Sequence, residues 1–276
     1  MTKFIDGYLF AKQAISFAWN NKRLWWYQVV SMLMLPLFAY VISFIGKKVN
    51  VEQLSSSFAY GLKIVPLFIE SFISILFVAA LVNRFYALSS NKRMNFFQSF
   101  EFAHHVLLRL IAWGFVLALA VIFKSILGVK SGVAFNYDLV SGFPFAFNFF
   151  QFLIWSASWF IFWAWSLVVF FFVPVLIRKN KSFFLTLKES LFFLWKNLWV
   201  TIVAIIFYSL FFVLLFILLA AIVFFITWIV VLIFSIPFGS GWLIPFGVIF
   251  IVPLILVGLF FGTVSIVLPA LIYAKR

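Results

Sequence analysis

The chain has no cysteine, and only 2 of its 276 residues are histidine and 6 are acidic. Without cysteine there are no disulfides, no thiol catalysis and no thiolate-held metal. A catalytic metal centre needs about three convergent protein ligands, and the supply is short: Asp6, Glu52, Glu70, Glu101, His104, His105, Asp138 and Glu189. The best cluster is Glu101 with His104 and His105, at helical i, i+3 and i, i+4 spacing. Such polar residues are stable at a membrane interface without a metal. No glycine-rich phosphate loop, Walker motif or nucleophile elbow occurs. The expectation is therefore a non-enzymatic protein with no catalytic residues, no metal site and no cofactor.

Apolar residues are abundant instead. They make up 67% of the chain, phenylalanine alone occurs 44 times, and only 9% is charged. A soluble domain is roughly 45–50% apolar and about 25% charged. The charge-free runs Leu24–Gly46, Leu139–Ile177 and Leu198–Ala274 each reach or exceed the ~20 residues that cross a hydrocarbon core about 30 Å thick. They are continuously apolar rather than alternating, which favours helices over barrel strands. The first run follows Lys22-Arg23 and ends at Gly46-Lys47-Lys48 without a small-x-small pattern, so no cleavable signal is expected.

Breakers and charges divide the chain into six expected spans: Leu24–Ile45, Ile64–Asn83, Leu107–Leu127, Asn148–Ile177, Leu198–Val223 and Leu243–Tyr273. The last charge-free run is too long for one crossing, and a turn is expected at Ser235–Trp242, where Pro237, Gly239 and Gly241 break helices. Phe224–Phe234 would then extend along or beyond the outer interface. A third crossing within 198–274 remains an alternative. Lys3, Lys12, Lys22, Arg23, Arg84, Lys92, Arg93, Arg109, Arg178, Lys179, Lys181, Lys188, Lys196, Lys275 and Arg276 fall on one side; Lys47, Lys48, Lys63, Lys124 and Lys130 fall on the other. The positive-inside rule places the richer side, with both termini, in the cytoplasm. Because the basic residues flank spans rather than forming one soluble patch, the net charge of +14 does not call for nucleic acid.

Related segments recur. Val173-Pro-Val-Leu-Ile-Arg-Lys179 resembles Leu268-Pro-Ala-Leu-Ile-Tyr273 with Ala274-Lys275, and more faintly Val78-Ala-Ala-Leu-Val-Asn-Arg84. Leu187–Asn197 aligns without gaps on Ala11–Asn21, with Trp195 on Trp19 and Asn197 on Asn21. Asn95–Ser99 aligns with Ser182–Thr186, which sets Arg109 opposite Lys196. The expected fold is all-α: three parallel-repeat hairpins over residues 8–84, 94–179 and 182–276, each led by a short amphipathic helix on the cytoplasmic face.

In the third unit, Phe183, Leu187, Leu191 and Leu194 follow helical spacing, and Lys181, Lys188 and Lys196 lie outside that stripe. A helix lying in the interface fits, with Arg178, Lys179, Lys181, Lys188 and Lys196 forming a basic elbow for anionic headgroups at about 1 kcal/mol each. These charges also serve topology alone. Membrane lipids are the expected partners, along with other membrane proteins. Glu70 and Lys124 fall within spans at similar depth. They either pair across spans two and three, bridged if need be by Ser71, Ser74 or Ser125, or snorkel separately to the outer headgroups.

Taken together, the six spans, Phe171–Asn197 (FFVPVLIRKNKSFFLTLKESLFFLWKN) and Ala14–Trp26 (AISFAWNNKRLWW) resemble the membrane domain of bacterial glycerophosphoryl diester phosphodiesterases and its stand-alone relatives. The resemblance implies a multi-span domain of the bacterial plasma (inner) membrane. The soluble phosphodiesterase barrel and its metal ligands are missing from the sequence, so no catalysis carries over. A structural, assembly or lipid-associated role follows; a transporter or permease subunit for an apolar or lipid-like substrate is the alternative.

Overall fold

The computed structural model describes residues 2–48, 56–130, 170–233 and 240–276. All regular structure there is helical, with no strand among the described residues. The helices are α1 (Thr2–Asn20), α2 (Trp25–Lys48), α3 (Ser56–Ser89), α4 (Gln98–Lys130), α5 (residues 170–179), α6 (Phe183–Ile233) and α7 (Ser240–Lys275), with a 3-10 turn at Lys22–Leu24 between the first two. Three stretches are long and apolar enough to cross a membrane: Phe68–Ser89, Phe183–Val230 and Pro253–Lys275. His105–Leu119 is apolar but shorter. These are the properties of a multi-pass membrane protein.

Several boundaries differ from those expected. Most of the fourth expected span, residues 148–169, lies outside the described residues. Of the turn expected at Ser235–Trp242, residues 235–239 lie outside the described residues, and Ser240 already opens α7. α3 does not end near Arg84 but continues to Ser89; Phe85, Tyr86, Ala87 and Leu88 keep the helical pattern, and no breaker arrives before Ser90-Asn91. α4 runs unbroken from Gln98, so the middle segment has no separate leading helix. At the position aligned with Asn197 it carries Leu110, within a run of strong helix formers.

The helix does break at the two aligned asparagines. Asn21 separates α1 from the 3-10 turn at φ −115°, ψ 58°, and Asn197 interrupts α6 at φ −113°, ψ 17°. An asparagine side chain competes for backbone partners and so favours such breaks. Beyond Asn197, α6 extends about 54 Å from Leu198 to Ile233 at 1.5 Å per residue, against a hydrocarbon core of about 30 Å.

By contacts, the chain forms two compact units, which cut across the sequence repeats. The first holds residues 1–30, 84–93 and 195–276. In it α1 lies along α7 in the opposite direction: Trp19 meets Phe260, Lys275 Nζ donates to Gln13 Oε1 at 2.7 Å, and Arg276 forms an ion pair with Asp6. The buried seam of α1 is Gly7, Phe10, Ala11, Ala14 and Ala18, and all but Phe10 are small enough to allow close helix approach. Gly7 sits directly against Val200 and Val203 of α6, and Phe4 and Tyr8 beside it meet Phe207 edge-on. The last turns of α3 form a three-way joint: Arg84 reaches Tyr27, Phe85 packs on Phe17, and Tyr86 Oη donates to the Ala270 carbonyl at 3.5 Å. Three consecutive residues thus touch α2, α1 and α7.

The second unit holds residues 31–83 and 94–194. Here α3 and α4 run antiparallel. Asn83 Nδ2 donates to the Ser99 carbonyl at 3.3 Å, Phe77 meets Phe100, Phe68 meets Phe115, and Gly114 lets α4 approach the Phe72 backbone. Gln98 Oε1 accepts from the Asn95 N–H at 2.8 Å, half of a capping box that starts α4.

Candidate functional site: a clasped basic elbow and a buried arginine

The elbow between α5 and α6 is built on one asparagine. Asn180 is left-handed at φ 47°, and its N–H bonds the Leu176 carbonyl at 2.9 Å, closing α5 with an αL cap. Asn91 does the same for α3 at φ 54°, where Lys92 N–H bonds the Ala87 carbonyl at 2.8 Å in a Schellman pattern. Arg109 of α4 donates through Nη1 to Asn180 Oδ1, and Trp113, one turn further, stacks on Phe172 at 4.0 Å and tilts against Phe183 at 5.8 Å. The elbow is therefore clasped from α4 on both of its arms. Asn180→Ala is expected to destabilise the protein by about 1–2 kcal/mol, because alanine keeps the Cβ but lacks the short polar side chain that makes left-handed backbone tolerable for asparagine, and Asn180→Gly by clearly less. Thermal unfolding in mild detergent measures both; equal losses would assign the effect to the Arg109 bond instead.

Two of the five basic residues expected here meet a carboxylate. Lys179 Nζ lies 3.1 Å from Glu189 Oε2, and Lys181 bonds the other oxygen, so two of the charges hold α6 to the elbow. Arg178, Lys188 and Lys196 are exposed. Around them α6 presents Phe184, Phe192 and Trp195, at 79%, 72% and 81% exposure. The buried line of this segment is Thr186, Ser190 and Leu194, rather than the stripe of Phe183, Leu187, Leu191 and Leu194. Thr186 Oγ1 donates to the Ser182 carbonyl at 2.9 Å and Ser190 Oγ to the Thr186 carbonyl at 2.8 Å, so both hydroxyls are satisfied within the helix. Small satisfied residues face inward and bulky apolar ones outward, as in a lipid-exposed helix.

Of the expected pairing or separate snorkelling of Glu70 and Lys124, only Glu70 falls among the described side chains. Glu70 is half-buried on α3, while the side chains of Lys124 and Ser125 lie outside the described residues. Glu101 and His105 are exposed on α4, and the His104 side chain lies outside the described residues. Among the described residues, no three His, Cys, Asp or Glu side chains converge.

The count of charges puts Arg84 on the basic side expected to face the cytoplasm and says nothing of its burial. Its side chain is buried, at 8% exposure. Its Nη1 reaches Tyr27 Oη at 3.4 Å, and its guanidinium carbon lies 5.7 Å from the centre of the Tyr27 ring. The unbroken helical pattern after Arg84 was the signal that pointed to this. A further feature of the same unit is an open groove of about 450 Å³ between α6 and α7, lined by Ser209, Phe212, Phe216, Leu254, Gly258 and Phe261. It is apolar along nearly its whole length and carries no ionisable group. No protein family, curated protein or solved structure matches the chain.

Proposed function

We propose that the chain is a non-enzymatic, multi-span protein of the bacterial plasma membrane with a structural, assembly or lipid-associated role. In this reading six spans form three parallel units, both termini lie in the cytoplasm, and the chain is a relative of the phosphodiesterase membrane domain. The matching breaks at Asn21 and Asn197 support the repeat. So does the burial of Ala79–Val82, Pro174–Ile177 and Pro269–Ile272 at equivalent positions of the three related exit segments. The reading rests chiefly on the outward face of the elbow helix, where Phe184, Phe192 and Trp195 alternate with the exposed Lys188 and Lys196. Aromatic rings and lysine stems together suit the headgroup layer. The groove between α6 and α7 offers an acyl chain apolar walls and gives a polar solute nothing to bind, which favours lipid contact over solute transport.

The test uses the full chain in vesicles of phosphatidylethanolamine with phosphatidylglycerol. The variant Arg178→Gln/Lys188→Gln/Lys196→Gln leaves the Glu189 ion pairs intact. At about 1 kcal/mol per charge, each removal should lower phosphatidylglycerol enrichment around the protein roughly fivefold, less in high salt. Enrichment unchanged from wild type, at low and high salt alike, would rule out headgroup attraction by the elbow.

A further inference from the structure

Arg84 brings a guanidinium into the interior, a cation with five N–H donors and no acceptor. A buried charge normally carries an opposite charge with it. Among the described residues the carboxylate ion pairs are Asp6 with Arg276 and Glu189 with Lys179 and Lys181, and none reaches Arg84. Its partner is a neutral phenol, engaged by Nη1 alone. Nε is fully buried with no hydrogen-bond partner, and the bond the guanidinium makes among the described residues comes from Nη1. Nε and Nη2 together form the side edge of the guanidinium, the fork that holds two oxygens of a phosphate or carboxylate.

The chain segments that meet here are basic as well. Lys22 and Arg23 precede Tyr27 in the 3-10 turn, Lys92 and Arg93 follow Arg84 beyond the Asn91 cap, and all four are exposed. Such pairs raise the local concentration of anions, while the guanidinium edge with its buried Nε is a single geometric receptor. Arg84 also stands near the C-terminal end of α3, where the helix dipole favours a cation. That effect fades within the last turn, and Arg84 lies five residues before Ser89.

We infer that Arg84, positioned by Tyr27, is the receptor of a bound phosphate group, carried either by a membrane phospholipid or by free inorganic phosphate. The site is distinct from the elbow between α5 and α6, and only its phospholipid form rests on the proposed lipid-associated function.

The test compares wild type, Arg84→Met and Arg84→Lys as full chains purified in mild detergent and stripped of lipid. Mass spectrometry under non-denaturing conditions should find one phosphate-bearing species on wild type after addition of phosphatidylglycerol or of inorganic phosphate. Whichever additive gives it identifies the source. Occupancy should fall at least tenfold in Arg84→Met and less in Arg84→Lys. The same additive should raise the melting temperature of wild type but not of Arg84→Met, and without additive Arg84→Met should melt no lower than wild type. Two results overturn the inference: wild type that retains neither species in stoichiometric amount, whatever the variants do, or occupancy equal in wild type and Arg84→Met. The elbow variant Arg178→Gln/Lys188→Gln/Lys196→Gln separates the two ideas. Loss of surface enrichment with the tightly held species retained leaves the Arg84 site standing, and the converse leaves the elbow reading standing.

Discussion

Replacing Trp113 with alanine is expected to cost about 3–5 kcal/mol, the range for emptying a large buried aromatic site. Trp113 has 0% exposure, and its ring lies only 12° from parallel with Phe172. Phe172 and Phe183, its two partners, stand on either side of the elbow and meet each other at 5.5 Å. Truncation would therefore empty the crook between α5 and α6 and leave the Arg109 bond to Asn180 as the main tie from α4 to the turn. Trp113→Phe keeps a ring for stacking and should lose less than half as much. Equilibrium unfolding in mixed detergent micelles measures the difference. A loss under 1 kcal/mol for Trp113→Ala would mean that the elbow holds its shape without this ring.

Gly7 should be similarly intolerant, for the opposite reason. A Cβ there would stand 2.7 Å from both Cβ and Cγ1 of Val203 and 2.9 Å from the Val200 carbonyl oxygen. The side-chain clash has some room to relax; the clash with the backbone oxygen requires α1 and α6 to move apart. Overpacking of this kind costs about 1–3 kcal/mol for one added methyl, and Gly7→Leu should detach α1 altogether. Val203→Ala removes both methyls, Cγ1 among them, but keeps Cβ, so combining it with Gly7→Ala should recover part of the loss. Gly258 is the control: nothing lies within 4 Å of its added Cβ. Gly258→Ala is expected to stay within about 0.5 kcal/mol of wild type. If Gly7→Ala behaves like Gly258→Ala, the close approach of α1 to α6 is not what holds them.

These sites also separate what the sequence reveals from what it hides. The register of Ala11–Asn21 on Leu187–Asn197 was visible as a plain alignment, and both asparagines interrupt helices. A polar residue that competes with the backbone leaves a local signature, which a single sequence displays. The inward face of α6 left none of that kind. Periodic apolar residues mark the interior of a soluble protein, but lipid is as apolar as leucine, so the pattern loses its sign in a membrane. Thr186 and Ser190 are buried, whereas Leu191 of the expected stripe is exposed. Charge as a boundary marker describes where a chain emerges on average, and it carries no sign that helices close around a particular cation, as they do around Arg84.

The joint at the end of α3 sets a timetable for biogenesis. Tyr86 bonds a carbonyl 184 positions later in the chain, and Gln13 waits for a lysine 262 positions away. At the usual 5–20 residues per second, roughly 13–50 s separate synthesis of the two ends of α1's contact with α7. Throughout that interval α1 and the segment around Arg84 are already made while the helix that completes their packing is not. The cell's insertion machinery must therefore shelter an unfinished assembly with a charged residue at its centre. Ribosomes stalled before α7 should accumulate a protease-sensitive intermediate in which α1 is still undocked.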